Sequence, residues 1–245
     1  MRNELPLISV VTVVRNGQKT LEQAINSVLN QSYPNVEYII IDGGSTDGTL
    51  DIIKGYESRL RHWTSEPDSG IYDAMNKGIE ICRGELIGIV NSDDWYEPNT
   101  VELIVNRYID EGRKNGVYYG FLKLWKDEVE HSIRRFHHNF YNEHMIQHPT
   151  WFVSKSIYQK FGDFDRSYRV AGDFELFQRF IKSKVDFFPL DAVLSNFRIG
   201  GISTYRQDLI NHEYLRLKYS LRLINRYQFL KQKTWLLIKQ VLFNK

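Results

Sequence analysis

Two spacings of apolar residues alternate along the first hundred residues. Runs rich in β-branched residues, such as ISVVTVV at 8–14, are typical of strands buried on both faces of a sheet. Between these runs, apolar residues recur at helical spacing, as at Leu21, Ala24 and Val28. The pattern predicts strands at 7–14, 36–41, 59–64 and 85–90, and helices at 21–29, 47–55 and 71–82. Such alternation predicts an α/β fold with a mainly parallel central sheet flanked by helices.

The pattern is less regular after Tyr96. It predicts helices at 100–111 and 173–182, and strands at 117–124, 185–188 and 192–196, with a histidine-rich polar stretch among them. From about Tyr205 onward the spacing is helical, and basic residues surround an apolar face. We therefore predict one domain over residues 1–204 and a basic amphipathic helical tail over residues 205–245.

Acidic and glycine-rich segments follow the four predicted N-terminal strands. They are residues 12–16, 42–49, 65–70 and 91–94. Because ligands of open α/β sheets bind at the carboxyl ends of the strands, we expect these segments to form one site. Taken singly, the segments at 42–49 and 91–94 are also explained as turns that cap the following helices.

Adjacent carboxylates at Asp93 and Asp94 suit a hard divalent cation, Mg²⁺ or Mn²⁺, which takes oxygen ligands and also binds substrate phosphates. The chain has neither G-x-x-x-x-G-K-[ST] nor G-x-G-x-x-G behind its first strand. The absence of both motifs argues against a nucleotide hydrolase and against a nicotinamide enzyme. The predicted cofactor is therefore a divalent metal at a diphosphate site.

Composition and charge narrow the class of protein further. Hydrophobic residues make up 42% of the chain and charged residues 25%, as in ordinary globular proteins. The single cysteine, Cys82, excludes an intrachain disulfide and a cysteine-based zinc site. The N-terminus lacks the features of a signal peptide, and no apolar run is long enough to span a membrane. We expect a cytoplasmic protein.

The tail and the body carry opposite charges. Residues 205–245 contain nine Lys or Arg and two Asp or Glu, whereas residues 1–204 contain 23 and 28. Basic and apolar residues interleaved on a helix suit peripheral contact with an anionic membrane. A helix packed on the body, or on a second subunit of a homodimer, explains the same pattern. No recognised module accompanies the charge, so we expect no nucleic-acid partner.

Seven segments carry a specific resemblance. In order they are SVVTVVRNG, IIIDGGSTDGT, SEPDSGIYDAMNKGI, GELIGIVNSDDWY, HPTWF, VAGDFELFQRF and NFRIGGIS, which span about residues 7–204. Together they resemble glycosyltransferase family 2, and in particular its bacterial polysaccharide-assembly branch. The resemblance implies a GT-A type nucleotide-diphospho-sugar transferase fold. It also implies inverting, metal-dependent transfer of a sugar from a nucleotide diphosphate donor, with UDP favoured, to a saccharide or lipid-linked saccharide. The expected setting is surface polysaccharide synthesis at the inner face of the cell membrane.

The resemblance also implies roles for individual residues of the donor site. Asp42 would read the base or ribose, Asp93 would lie near the ribose and donor sugar, and Asp94 would hold the metal. Asn91 stands where the commonest family form has aspartate, which leaves the number of metal ligands open. The implied nucleotide-sugar-binding residues are Thr12, Val14, Arg15, Asp42, Asp68, Gly70, Asp73, Asn76, Lys77, Ser92, Asp93 and Arg198.

The catalytic carboxylate of the family matches Asp173, with Glu175 as the second candidate. An inverting transfer needs one positioned base to take the proton of the acceptor hydroxyl. Many relatives have glutamate before this aspartate, whereas this chain has Gly172. From the residues alone, Asp173 is also explained as an N-terminal helix cap.

Other polar residues have less specific interpretations. His148 is either a metal or phosphate contact or a structural side chain. Arg198 and the glycines at 200–201 are predicted to close over the diphosphate as a lid. The remaining histidines of the polar stretch are predicted to lie on a solvated or acceptor-facing surface; they are His131, His137, His138 and His144.

Two other functions remain open from the sequence. A nucleotidyltransferase on a related fold would need a glycine-rich signature with Arg or Lys after the first strand, and residues 15–17 are too short for one. A non-catalytic binding module would not turn over a sugar donor, so the Asp94→Asn and Asp173→Asn substitutions would have no turnover to remove.

Overall fold

The computed structural model describes residues 5–141, 145–200 and 207–243, and within them a sheet of nine strands flanked by eight α-helices. The strands are Ile8–Val14 (β1), Val36–Asp42 (β2), His62–Ser65 (β3), Leu86–Ile89 (β4), Trp95–Tyr96 (β5), Val117–Lys126 (β6), Val129–Arg134 (β7), Phe152–Ser154 (β8) and Phe187–Arg198 (β9). The helices are Leu21–Leu29 (α1), Thr49–Gly55 (α2), Ile71–Ile81 (α3), Thr100–Asp110 (α4), Lys155–Phe161 (α5), Gly172–Lys182 (α6), Gln207–Ser220 (α7) and Arg226–Phe243 (α8).

The N-terminal half of the sheet is parallel, as predicted. The strand order is β3-β2-β1-β4-β8-β6-β9-β5, and β7 pairs with β6. The pairs β1–β2, β1–β4 and β2–β3 are all parallel, so that Val14 aligns with Asp42 and Asp42 with Ser65. Beyond β4 the sheet becomes mixed, because β8 joins β4 and β6 antiparallel while β6 and β9 are parallel. The carboxyl ends of β1 to β4 therefore share one edge.

The core lies on both faces of the sheet, which explains the continuous apolar strands. All seven residues of β1 are buried. Alternate residues of β1 contribute to two clusters: Val11 and Val13 pack on the side of α3 and α6, and Ile8 and Val10 on the side of α1 and α4. A strand covered on both sides needs apolar side chains at every position.

The C-terminal half differs from its prediction in detail. The strands predicted at 185–188 and 192–196 are one strand, β9. Pro189 and the exposed Asp191 interrupt its apolar pattern, and the register with β6 shifts on both sides of Phe121, opposite this part of β9. Proline removes a ladder hydrogen bond and is tolerated at such irregularities. Strands β5, β7 and β8 and helix α5 were not predicted; β5 and β8 have only two and three residues.

The predicted tail forms two helices. Leu215 and Leu217 of α7 are buried, and Leu217 belongs to the core cluster on the α6 face. Exposed apolar side chains lie instead on α8, where Tyr227 is 73% exposed. None of the helices assigned in the three described ranges has both the length and the apolar character needed to cross a membrane. The division at residue 204 stays a prediction, and Tyr205, His144 and the lid glycine Gly201 lie outside the described residues.

Candidate active site at the carboxyl edge of the sheet

The four predicted segments, together with Gly17, meet at the carboxyl edge of the sheet. We call this edge the strand-end rim (residues 12–17, 42–49, 65–70 and 91–94). The amide of Gly43 donates to the carbonyl oxygen of Val14 at 2.8 Å. A Cβ atom on Gly17 would lie 3.3 Å from the Ser92 hydroxyl, and one on Gly43 would overlap the Asp68 carboxylate. These contacts connect each segment of the rim to another one.

Asp42 is fully buried and organises the loop that follows β2. Its Oδ2 atom accepts hydrogen bonds from the amides of Gly44 and Ser45, at 3.2 and 2.9 Å, and from the Ser65 hydroxyl at 2.6 Å. Its Oδ1 atom accepts from the Ser45 hydroxyl. Asp42 thus holds the loops after β2 and β3 together. Its contact with a base or ribose stays a prediction.

The residues nominated on β1 differ in their access to a ligand. Thr12 is fully buried, and its hydroxyl accepts a hydrogen bond from Tyr38 at 2.9 Å. Val14 is 5% exposed, whereas Arg15 is exposed. Of these three side chains, Arg15 is therefore the one that can reach an incoming nucleotide.

Two aspartates order the start of α3. The amide of Gly70 donates to Asp68 at 3.0 Å, and the amide of Ser69 donates to Asp73 at 3.1 Å. Gly70 has φ +135°, a backbone conformation that residues other than glycine rarely adopt. The loop after β3 is thereby fixed where it enters the helix.

Asp73 is also the centre of a charge cluster. Arg166 lies 3.1 Å from its Oδ1 atom, and Lys77 lies 3.7 Å from its Oδ2 atom and 2.8 Å from Glu66. The hydrogen bond from the Ser69 amide, followed by the charges of Lys77 and Arg166, lowers the pKa of Asp73. Both cations beside the rim are therefore paired with carboxylates.

Asn76 has a structural partnership. Its side-chain amide donates to the carbonyl oxygen of Phe164 at 2.7 Å and accepts from the Phe164 amide at 3.0 Å. Asn76 is 2% exposed. The pair of bonds fastens the segment before α6 to α3, so the predicted sugar contact of Asn76 would have to replace them.

Asp94 lies in the turn between β4 and β5, and two groups donate hydrogen bonds to its carboxylate. Its carboxylate accepts from the Asn91 side chain at 3.0 Å and from the Arg198 amide at 3.1 Å. The Arg198 guanidinium donates to the carbonyl oxygen of Asp93 at 3.0 Å and to Gln23 at 2.8 Å. The predicted lid residue Arg198 therefore reaches the rim from the end of β9.

The Asn91 to Asp94 turn brings together the amide oxygen of Asn91 and the carboxylates of Asp93 and Asp94. Burial raises the pKa of Asp93, and burial together with the nearby Asp93 charge raises the pKa of Asp94 well above its usual range. The Asn91 Oδ1 atom is buried without a hydrogen-bond partner. Within the described ranges, no group of three or more His, Cys, Asp or Glu could hold a metal. These three oxygen-bearing residues fit a hard cation that takes its remaining ligands from water or phosphate.

His148 lies in an aromatic environment. Its buried ring contacts Trp151 and Phe164 edge-on, with centroid distances of 5.5 and 5.6 Å. Burial lowers the pKa of His148 to about 4, so the ring is neutral at physiological pH. This packing supports the structural interpretation, and the metal role stays a prediction. His138 similarly stacks on Phe187 at 5.1 Å, with burial lowering its pKa to about 4.

Asp173 lies at the second position of α6 and is half-buried. Its carboxylate accepts from the Phe174 amide at 2.8 Å and lies 3.5 Å from the Tyr72 hydroxyl. Burial, opposed by the Phe174 hydrogen bond, raises the pKa of Asp173 to about 6. A partly accessible carboxylate that titrates near neutral pH suits a general base.

The space beside Gly172 is filled by the ring of Tyr72. A Cβ atom on Gly172 would lie 2.7 to 2.9 Å from three atoms of the Tyr72 ring. Tyr72 stacks on Phe164 with a centroid distance of 5.3 Å and is itself buried. The tyrosine ring therefore occupies the position into which a larger residue at 172 would project.

Glu175 is engaged elsewhere. Arg179 donates to its two carboxylate oxygens at 3.1 and 2.6 Å and also donates to the carbonyl oxygens of Phe161 and Asp163. Proton transfer to Glu175 would weaken this bidentate pair. The geometry favours Asp173 over Glu175 as the base.

Three residues of the site were not singled out in the sequence. Tyr72 lies within the quoted segment SEPDSGIYDAMNKGI, so its neighbourhood was visible although its contact with Asp173 was not. Arg166 and Gln23 had no comparable signal, because their partners lie 93 and 175 positions away in the chain.

Comparisons with known proteins agree with this architecture. A model of glycosyl transferase family 2 matches residues 9–212. A protein named for teichuronic acid biosynthesis, the glycosyltransferase TuaG of Bacillus subtilis, is 39% identical over 105 residues, which is 42% of each chain.

Two solved structures share the fold. S. aureus TarS in complex with UDP-GlcNAc has a TM-score of 0.71 at 16% identity and is matched over 97% of this chain and 73% of that one. The mannosyltransferase PcManGT from Pyrobaculum calidifontis, in complex with GDP-Man and Mn²⁺, has a TM-score of 0.68 at 14% identity, over 96% and 70%. The predicted GT-A type fold is confirmed.

Proposed function

This chain belongs to glycosyl transferase family 2, and on that premise we propose that it transfers a sugar, with inversion, from a nucleotide diphosphate donor to a saccharide or lipid-linked saccharide. The favoured donor nucleotide is UDP. The observation that carries the proposal is an acidic strand-end rim accompanied by one half-buried carboxylate at the start of α6. This carboxylate is Asp173, and burial raises its pKa to about 6.

Asp173 is the proposed general base. The acceptor hydroxyl gives its proton to the Asp173 carboxylate as its oxygen attacks the anomeric carbon and the nucleoside diphosphate departs from the opposite face. The Phe174 amide and the Tyr72 hydroxyl orient the carboxylate. A positioned base of this kind contributes typically 10²- to 10⁴-fold to the rate.

Asp94 is the proposed metal-holding residue, with Asp93 and Asn91 beside it. A bound Mn²⁺ or Mg²⁺ would supply Lewis-acid stabilisation of charge on the departing phosphate. The buried, unpartnered Asn91 Oδ1 atom and the raised pKa values of both aspartates support this assignment. The structure of PcManGT contains GDP-Man and Mn²⁺, which supports a divalent metal by analogy.

The proposed donor site also includes cationic residues at and beside the rim. Arg198, fixed to Asp93 and Gln23, and Lys77, beside Asp73, are the proposed diphosphate contacts. Arg15, the exposed residue directly after β1, is a further proposed contact with the donor nucleotide. The name of TuaG and the UDP-GlcNAc complex of TarS support a UDP-sugar donor and a role in surface polysaccharide synthesis.

Sugar transfer can be tested directly. The purified chain is incubated with a panel of UDP- and GDP-sugars, Mn²⁺ and candidate saccharide acceptors, and release of nucleoside diphosphate is measured together with the anomeric configuration of the product. We expect metal-dependent release that needs acceptor, and a product of inverted configuration. A retained configuration, or turnover unaffected by a chelator, would contradict the mechanism or the metal role, respectively.

The tail has a separate proposal. We propose that α8, whose described side chains include Arg226, Lys231 and Lys233 and the exposed Tyr227 and Leu230, contacts an anionic membrane that presents the acceptor. Sedimentation with vesicles of anionic and of neutral lipid, with and without residues 226–245, tests it. We expect salt-sensitive binding of the full chain to anionic vesicles alone. Equal sedimentation of the chain with and without residues 226–245 would contradict the proposal.

A further inference from the structure

The first helix of the tail is bonded to the loop that leads into Asp173. Glu213 of α7 accepts hydrogen bonds from three successive amides, those of Arg169 at 2.9 Å, Val170 at 2.9 Å and Ala171 at 3.0 Å. The two residues after Ala171 are Gly172 and Asp173 itself. A carboxylate that receives several amide hydrogen bonds is strongly held, because its charge strengthens each of them.

A second contact joins the same two elements. The Tyr214 ring stacks on Phe174 with a centroid distance of 4.8 Å and an angle of 13° between the rings. Phe174 is the residue whose amide donates to Asp173. Residues 213 and 214 of α7 therefore contact the chain on both sides of the proposed base, at 169–171 and at 174.

Glu213 and Tyr214 follow directly after the part of the chain that the family model matches, which ends at residue 212. We propose that Glu213 is a positioning residue: by binding the amides of 169–171, it fixes the start of α6 and thereby the place of the Asp173 carboxylate. This inference rests on the proposed function, since it assigns Glu213 a role through the general base. Glu213 is not expected to contact either substrate.

The charge of Glu213 adds an effect that a purely structural contact would not have. Among the residues that the structure describes, the charged and titratable groups that face Asp173 are Tyr72 from α3 and Glu213 and Tyr214 from α7. Among the causes of the raised Asp173 pKa, burial is the largest and the Glu213 charge contributes in the same direction. Removing that charge should lower the pKa of Asp173, and the acidic limb of the rate profile should move to lower pH.

Two substitutions separate the effects. Glu213→Gln keeps an acceptor oxygen but removes the charge, and Glu213→Ala removes both. For Glu213→Ala we expect kcat to fall on the order of 10- to 100-fold, since small misplacement of a reacting group has effects of this size. Donor KM and nucleotide Kd should remain unchanged. Glu213→Gln should lose less activity and show the acidic limb shifted to lower pH.

The control is Glu111→Ala, which removes a glutamate paired with Arg107 and Lys114 at the end of α4 and should leave kcat unchanged. Thermal melting first establishes that each variant is folded. Hydrogen exchange then measures the amides of 169–171 without reference to activity. Faster exchange there in Glu213→Ala is expected, and unchanged exchange would overturn the contact.

The failure of this inference differs from failure of the proposed function. If Asp173→Asn abolishes transfer while Glu213→Ala retains wild-type kcat and pH profile, the positioning role is overturned and the base assignment stands. If Asp173→Asn transfers sugar as well as the wild type does, the proposed function loses its base, and with it the premise of this inference. A loss of activity in Glu213→Ala with raised donor KM and an unmoved acidic limb in Glu213→Gln would also overturn the positioning role.

Discussion

The two halves of the site are built in different ways. At the strand-end rim, the proposed donor-site side chains lie at or shortly after the ends of β1, β2, β3 and β4, and the parallel register sets their neighbours. Asp173 lies instead at the start of a helix, and its surroundings come from α3, from the loop at 169–171 and from α7. Strand register places the first set of residues, whereas long-range packing places the second.

The largest predicted effect isolates the second half. Asp173→Asn should reduce kcat by about 10²- to 10⁴-fold, because the acceptor hydroxyl loses its base. Nucleotide binding, which we assign to the rim, should be unchanged, as measured by calorimetry with UDP and Mn²⁺. Asp110→Asn, at an exposed position on α4, is the matched control. Weakened UDP binding in Asp173→Asn would break the separation between the halves.

A somewhat smaller effect is expected from the rim. Asp94→Asn should reduce transfer by roughly 10²-fold, the equivalent of the several kcal/mol that a bound metal contributes to charge stabilisation. Here binding of UDP in the presence of Mn²⁺ should also weaken, in contrast to Asp173→Asn. Titration of Mn²⁺ by calorimetry in both variants gives the comparison. Normal Mn²⁺ affinity in Asp94→Asn would place the metal elsewhere.

The boundary between the halves can be probed through packing. Gly172→Ala would press a methyl group into the Tyr72 ring. We expect the free energy of unfolding to fall by about 1–3 kcal/mol, the usual cost of overpacking, and kcat to fall as Asp173 shifts. The control is Gly55→Ala at the end of α2, where a Cβ atom meets nothing within 4 Å. Equal stability of the two variants in urea would show that the ring moves freely.

The smallest effect concerns stability and pH. The pKa of Asp173 is raised from 3.8 to about 6, so the folded state binds more protons than the unfolded state between these values. Stability due to this group is therefore lost as pH rises through that window. Asp173→Asn should gain stability relative to wild type from pH 4 to pH 7, as measured by thermal melting. A constant difference, like that expected for Asp110→Asn, would argue against the raised pKa.

The sequence predicted the rim better than it predicted the surroundings of Asp173. Continuous apolar runs located β1, β2 and β4, and the carboxyl-edge rule then brought Asp42 and Asp94 together. Position along the chain gave no information about Tyr72 facing Asp173, because that contact joins residues 101 positions apart. The prediction divided strand β9 into two, because Pro189 and Asp191 interrupt its apolar pattern. In the structure the strand is continuous from Phe187 to Arg198.

Thr12 on the rim and Asn76 in α3 show a second limit: the sequence did not predict the direction of individual side chains. The side chains of Thr12 and Asn76 are engaged in internal hydrogen bonds with Tyr38 and Phe164, which no spacing indicated. A motif marks a neighbourhood, whereas the direction of each side chain depends on the partners that tertiary structure supplies. Both side chains support the surfaces around them, and their contacts with a nucleotide sugar stay predictions.

The saturated carboxylate of Asp42 has a consequence for the kinetics of association. Its four hydrogen bonds already order residues 43–45 and the end of β3. A nucleotide that binds at the rim as proposed would therefore meet a loop that is already ordered. A preorganised loop reduces the entropy lost on association. Stopped-flow mixing with a fluorescent nucleotide should accordingly show one phase whose rate rises linearly with ligand concentration, without the plateau that a slow loop closure would impose.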